Sequence, residues 1–560
     1  MFVWMGGKRK LVLGIFVLFS SLIIKAQNSQ TSFLFPLDTP AYLSGTFGEF
    51  RGSHFHAGID IKTFGQEGLK VLSAEDGYVS RIKISPYGYG KAIYITHNNG
   101  YTSVYGHLSK FSPEIEAYVR RQQYAKRSYS IELFPKKTQF RVRKGKLIAY
   151  SGNTGGSAAP HLHFEIRDSK TQEILNPLNF NLGIADSVQP LLVGGFLFKR
   201  DREFRMENGV YPEQNRFDLS GSDTIRISVP VGTYGIAIAA KDFLNHDTSS
   251  TLGIYGIEVW RGVEKIYARQ FDRFSFSDAH YIDLLSTYIK SYPPVEYCFK
   301  EGWISHGLSH YKENGWMEVF NNQLDTIRVK LYDEKNNTKE KLIVISGVLQ
   351  EESGPPKVNV VKGDILFKQS HTFTPADGYA IDFFAGSFFD STRVKVSLQG
   401  ENPDTLLIQP LDFFSHERFR LIYPLNDEQM TQADKWCIAR IEEDGSISYV
   451  GSQQAGKQVS AKTKAFGRFI LTKDEIAPQI GDIQVEGSFI RISVEDNFSG
   501  INRYTGTINN RWFLLEYDPK TNTLTGDLSN YKSGEKLDFK LIVKDNAENT
   551  SEITQSIQVP

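Results

Sequence analysis

From residue 69 onward the chain is cut into short segments of alternating apolar and polar residues, closed by Gly, Pro, Asn or Asp. A period of two buries one face of a strand, so this pattern predicts a mainly β protein. Leu69 to Ser73, Gly77 to Ser85, Lys91 to His97 and Tyr101 to Leu108 read as strands. Asp76-Gly77 and Asn98-Asn99-Gly100 supply hairpin turns, which predicts an antiparallel sheet. On alternation alone, Tyr101, Ser103, Tyr105 and His107 share one face. Residues 112–134 break the pattern. Pro113 with Glu114 and Glu116 in the first turn predicts an inserted helix or helical hairpin, and strands resume at Gln139 to Val142 and Lys146 to Ser151.

A chain of 560 residues exceeds one ordinary core. The expected division is 27–185, 186–353, 354–476 and 477–560, with Gly354-Pro355-Pro356 as a linker. The last three parts read as β-sandwich, Ig-like modules. Ile236 to Asp242, Ile490 to Asp496 and Leu541 to Asp545 share a pattern: an alternating strand closing on Asp with Asn nearby. Two cysteines, Cys298 and Cys437, exclude a disulfide framework or a zinc ribbon. Lys8, Arg9 and Lys10 before the apolar run Leu11 to Ile24, with Ala26 after it, predict a signal peptide over 1–26. Export to a periplasm or cell envelope, or secretion, follows, with no membrane span after cleavage. Residues 28–185 carry 19 Lys/Arg against 12 Asp/Glu, which suits a polyanionic partner or plain solvation. Between Lys110 and Lys146 there are 11 basic and three acidic residues. Without interleaved aromatics this stretch is no stacking platform, and nucleic acid is excluded as a partner.

The chemistry gathers upstream of residue 170. His161-Leu162-His163 follows the Gly/Ser-rich run Asn153 to Pro160; on a strand both imidazoles share a face and Leu162 turns inward. His56 and Asp60 are four apart, but Gly58 and Ile59-Asp60-Ile61-Lys62 argue for a loop running into a strand. With His107 these make five candidates. A hydrolytic zinc takes three His or carboxylate ligands and keeps one position for water, leaving two imidazoles for proton transfer and oxyanion stabilisation. His54 reads as a rim histidine, Glu165 as an acceptor for an imidazole or a salt-bridge partner, Asn153 as a substrate or loop contact, and His97 as structural.

His56-x-x-x-Asp60, Tyr105-Gly106-His107-Leu108 and Gly152-Asn153-Thr154-Gly155 leading to Pro160-His161-Leu162-His163-Phe164-Glu165 together resemble the M23 (LytM/lysostaphin-type) zinc metallopeptidases. The resemblance covers roughly residues 40–180. It implies an antiparallel β fold with an open groove, one Zn2+ per chain on His56, Asp60 and His163, and His107 with His161 as the catalytic pair. It further implies endopeptidase action on peptidoglycan peptides. Two departures stand out: the long stretch from Leu108 to Gln139, and Gly156 to Pro160 in place of Ser-Thr-Gly before Pro. The alternative is a LytM-type non-enzymatic regulator or binding protein of wall hydrolases. The sandwich modules are expected to position the first module or to bind wall or an envelope protein.

Overall fold

The computed structural model describes residues 32–52, 54–200, 215–244, 247–289, 291–300, 307–349, 369–388, 394–399, 405–409, 411 and 414–560. The expected signal peptide, the Gly354-Pro355-Pro356 linker, His246 and His306 lie outside them. The protein is mainly β: the described α-helices are Pro113–Lys126 and Ile282–Leu285. Neither Cys298 nor Cys437 is in a disulfide, and both are buried. Among the described residues no helix is long and apolar enough to cross a membrane.

The first unit is a twisted antiparallel sheet. Its order runs Leu43–Gly45, Ile59–Lys62, His161–Asp168, Tyr101–Leu108, Lys91–His97, Gly77–Ile84, Ile131–Leu133. His161–Asp168 is therefore central, flanked by the strand carrying Asp60 and the strand carrying His107. Ile59, Ile61, Leu162, Phe164 and Ile166 point to one side, into a core shared with Tyr105 and Ile93. By the strand's period of two, Asp60, His161 and His163 must point to the other side. The insert is one helix, not a hairpin. Arg127 at φ 48° ends it, and Ile131–Leu133 then pairs with the edge strand Gly77–Ile84.

Downstream, sheets are stacked in pairs. A seven-stranded and a six-stranded sheet span Leu191–Val348, two five-stranded sheets span His371–Lys473, and sheets of five and four strands span Gln479–Gln558. Each pair closes on its own apolar cluster, built from alternate residues such as Ile257/Val259, Phe419/Leu421/Tyr423 and Phe539/Leu541/Val543. Among the described strands one pairing is parallel, Thr224–Pro230 with Thr338–Val348.

The chain doubles back on the first unit. Lys62 Nζ binds Asp247 Oδ2 at 2.5 Å, and Thr46 and Gly253 hydrogen-bond each other. On the opposite flank Lys91 pairs with Glu516 at 2.7 Å and Arg120 with Asp527 at 2.7 Å. Tyr124 packs edge-on against Trp512, and Leu514 joins the first core.

Candidate metal centre

His56 and Asp60 reach the same point by different routes. His56 sits in the loop before the strand Ile59–Lys62; its amide donates to Glu49 O and its carbonyl accepts from Gly48 N. Asp60 stands directly opposite His163 in the antiparallel register. His56 Nε2, Asp60 Oδ1 and His163 Nδ1 lie 3.0 to 3.1 Å apart in every pairing, and all three residues are buried.

The neighbours decide which lone pairs face this point. His56 Nδ1 donates to Thr46 O at 2.8 Å, and His163 Nε2 donates to Glu165 Oε1 at 2.8 Å. Arg51 Nη2 occupies Asp60 Oδ2 at 2.7 Å. With His56 protonated at Nδ1 and His163 at Nε2, three lone pairs would converge on one point, where a cation can take the place of the proton that His163 otherwise shares with Asp60. Ligands at 2.0–2.1 Å from a tetrahedral zinc lie about 3.3 Å apart, so the three atoms fit with a small outward shift. Burial would raise the Asp60 carboxyl, but the charge of His56 and hydrogen bonds from His161, His163 and His56 hold it well below the usual range. Burial disfavours an imidazolium at His163, yet Asp60 and Glu165 outweigh it and lift the group to about 9.

His107 and His161 stand beside this triangle. Their ring centroids are 4.7 Å apart, and His107 is 5.8 Å from His163. His107 Nδ1 donates to Thr154 O at 2.8 Å, which leaves Nε2 unprotonated. Burial and the neighbouring His163 and His161 lower it to about 3. His161 Nδ1 contacts Ala159 O at 2.8 Å and Ser157 Oγ at 3.1 Å, while Nε2 lies 3.4 Å from Asp60 Oδ1.

Alternation had placed His107 on the face of Tyr105. That face is core: the Tyr105 hydroxyl bonds Ala74 N, and its ring packs on Phe164. Register instead slips between Ile93↔Tyr105 and Lys91↔Leu108, so two residues oppose one. His107 takes φ 58° in this bulge and turns to the metal side. Gly106 beside it lets His163 pass; a Cβ there would meet His163 Cβ at 3.3 Å.

Glu165 makes both contacts left open by the sequence. Oε1 takes His163 and Oε2 takes Arg167 Nε at 2.7 Å, in a fully buried chain. Asn153 holds its own loop, its amide nitrogen donating to the Ser157 and Ala159 carbonyls, each at 3.2 Å. His97 is structural, bonded to Ser103 Oγ and Asp76 O. His54 is exposed. Three contributors were missed. Tyr89 stacks on His163 at 4.9 Å, Arg51 takes Asp60, and Lys520 Nζ donates to the carbonyls of Asn153 and Ser157, the latter at 3.3 Å. Lys520 therefore clamps the loop whose carbonyls orient His107 and His161, from 363 residues away.

The model for peptidase family M23 matches residues 54–131 and 129–177, the stretch that carries all five candidates. This stretch belongs to peptidase family M23. The DD-carboxypeptidase/endopeptidase Mpg of Neisseria meningitidis serogroup B is 34% identical over 112 residues, 20% of this chain and 20% of that protein. The murein hydrolase activator NlpD of Escherichia coli is 33% identical over 135 residues, 24% of this chain and 28% of that protein. The chain thus covers only a fifth to a quarter or so of these relatives' length. The catalytic domain of the antimicrobial peptidase lysostaphin from Staphylococcus simulans is 25% identical, covering 25% of this chain and 92% of that domain at a TM-score of 0.19, which adds no weight. The M23 stretch ends at residue 177, so the sandwiches lie outside the match.

Proposed function

We propose that this protein is an exported zinc metalloendopeptidase that hydrolyses peptide cross-links of peptidoglycan. The observation that carries the reading is the convergence of three ligand atoms, His56 Nε2, Asp60 Oδ1 and His163 Nδ1, with two further imidazoles beside them. These three residues would hold one Zn2+, which supplies a bound water of pKa about 7 and polarises the scissile carbonyl.

The chain's own residues do the rest. Thr46 O and Glu165 fix the tautomers of His56 and His163, so each presents a lone pair inward. Arg51 restricts Asp60 to one oxygen. His107, kept neutral by burial, takes a proton at Nε2 and can return it to the leaving amine. His161 presents Nε2 to the same space, Nδ1 being held on Ala159 O, and when Nε2 also carries a proton it can donate to the developing oxyanion. The 11 basic residues between Lys110 and Lys146 favour an anionic wall polymer.

A role as hydrolase activator, the one in NlpD's name, is the second reading. The intact triangle and both additional histidines favour the enzyme. Digestion of cross-linked muropeptides followed by mass spectrometry tests it: the expected product is a severed cross-link, made only by zinc-loaded protein. Zinc-loaded protein that leaves every cross-link whole would sink the proposal.

A further inference from the structure

Outside the M23 stretch, the Asp-closing strands meet in a second kind of cluster. Asp474 follows the strand Gly467–Lys473, Asp496 follows Phe489–Glu495, and Asp545 ends Lys536–Asp545. One carboxylate oxygen from each lies within 4.8 Å of the other two. Asp474 is 2% exposed and Asp545 0%. The nearby cations are engaged elsewhere: Lys435 with Asp434 and Ala547 O, Arg503 and Lys544 with Glu548.

Two oxygens here have no partner. Asp496 Oδ2 accepts from Phe498 N and Gly500 N, so Oδ1 is the atom left over; it is enclosed and receives no hydrogen bond. Ser499 is 4% exposed, its amide rests on Asp474 Oδ2 at 3.2 Å, and its Oγ is likewise enclosed and unpartnered. An enclosed carboxylate oxygen without a donor is costly unless a cation meets it.

A related arrangement recurs upstream. Asp186, Asp242 and Asp333 form the equivalent group, with Pro four residues after Asp186 as after Asp474. Asn337 Nδ2 binds Asp333 Oδ2 at 2.6 Å and reaches Asp186 O at 3.4 Å; Asn549 Nδ2 binds Asp545 Oδ2 at 2.8 Å and Asp474 O at 2.9 Å. Two sandwiches keep the same acidic junction at their entry.

We propose that Asp474, Asp496 and Asp545, with Ser499 Oγ, form a calcium site that locks the sandwich Gln479–Gln558 to the strands ending at Lys473. The donors are all hard oxygens, which suit calcium over zinc. Cys437 nearby stays a thiol, pushed up to about 12 by burial and the three aspartates, and is no ligand. The site spans the junction, because Asp474 comes from one side and Asp496 and Asp545 from the other. The proposal stands apart from the peptidase reading.

The test uses the full chain, stripped by chelator, reloaded with zinc and titrated with CaCl2 alone by calorimetry. Saturable binding is expected in the range of extracellular modules, about 10⁻⁴ to 10⁻³ M. Asp496→Asn should bind one ion fewer per chain. In the unaltered chain calcium should slow amide exchange at residues 496–500 and 545–549, a readout that needs no variant to fold. No calcium-dependent protection there up to about 5 mM, unchanged stoichiometry in Asp496→Asn, or equal protection by magnesium overturns the assignment.

Discussion

The His56–Asp60–His163 group and the Asp474–Asp496–Asp545 group each bring three ligand atoms within 4.8 Å, yet they are built oppositely. The first stands on the middle of a sheet, and every ligand has a second contact that fixes its free lone pair: Thr46 O, Arg51 or Glu165. The second stands at strand ends, has only oxygen donors, and leaves Asp496 Oδ1 and Ser499 Oγ without partners. On the two proposals, the difference separates a centre arranged for reactivity from one arranged for attachment. Nitrogen donors with locked tautomers select a borderline metal and hold one orientation, whereas carboxylates on turns select a hard ion and tolerate several.

The comparison breaks most sharply at the first centre. Asp60→Asn or His163→Ala should remove zinc and lower muropeptide cleavage at least about 10³-fold, several kcal/mol of lost transition-state stabilisation. Metal analysis beside a cleavage assay reads both, and retained activity without zinc would contradict the proposed mechanism. Next, 1,10-phenanthroline should abolish cleavage while leaving calcium protection of residues 545–549 intact; joint loss would mean the two centres are not distinct. Glu165→Gln weakens the acceptor that fixes His163, so zinc affinity should fall about 10- to 100-fold, read by competition with a chromogenic chelator. Lys520→Ala should lower kcat about fivefold with zinc content unchanged, since it loosens only the loop that aims His107 and His161; Lys520→Arg should restore it.

A last effect, on stability rather than on turnover, concerns the recurrent junction. Burial lifts Asp242 to about 8 from an ordinary value of 3.8. The folded state therefore holds a proton that the unfolded chain has already released. Stability from this group is complete below about pH 4 and is lost as pH climbs toward 8. In calcium-free buffer the melting temperature should fall by about 10 °C between pH 5 and 8, and Asp242→Asn should flatten that fall.

Much of the site was legible because strand alternation is a local rule. Leu162 between two histidines, and Asp60 between Ile59 and Ile61, declare which side faces the core. His107 was misplaced by the same rule, because a bulge at residues 106–107 resets alternation and nothing in Tyr-Gly-His-Leu announces its φ of 58°. Tyr89 and Arg51 escaped notice since their roles depend on packing between loops distant in sequence. The Asp-closing strands were legible as a repeat, but not as a cluster: Asp474, Asp496 and Asp545 meet only once two sandwiches are joined.

The Lys520 contact also sets a timetable. Ribosomes make the loop at residues 153–157 some 363 residues before the lysine that grips it. A half-made chain can already hold all five His and Asp side chains, yet the strap on their supporting loop arrives only with the distal sandwich. For a protein whose proposed substrate is peptidoglycan, that delay keeps nascent chains slack until they are nearly whole.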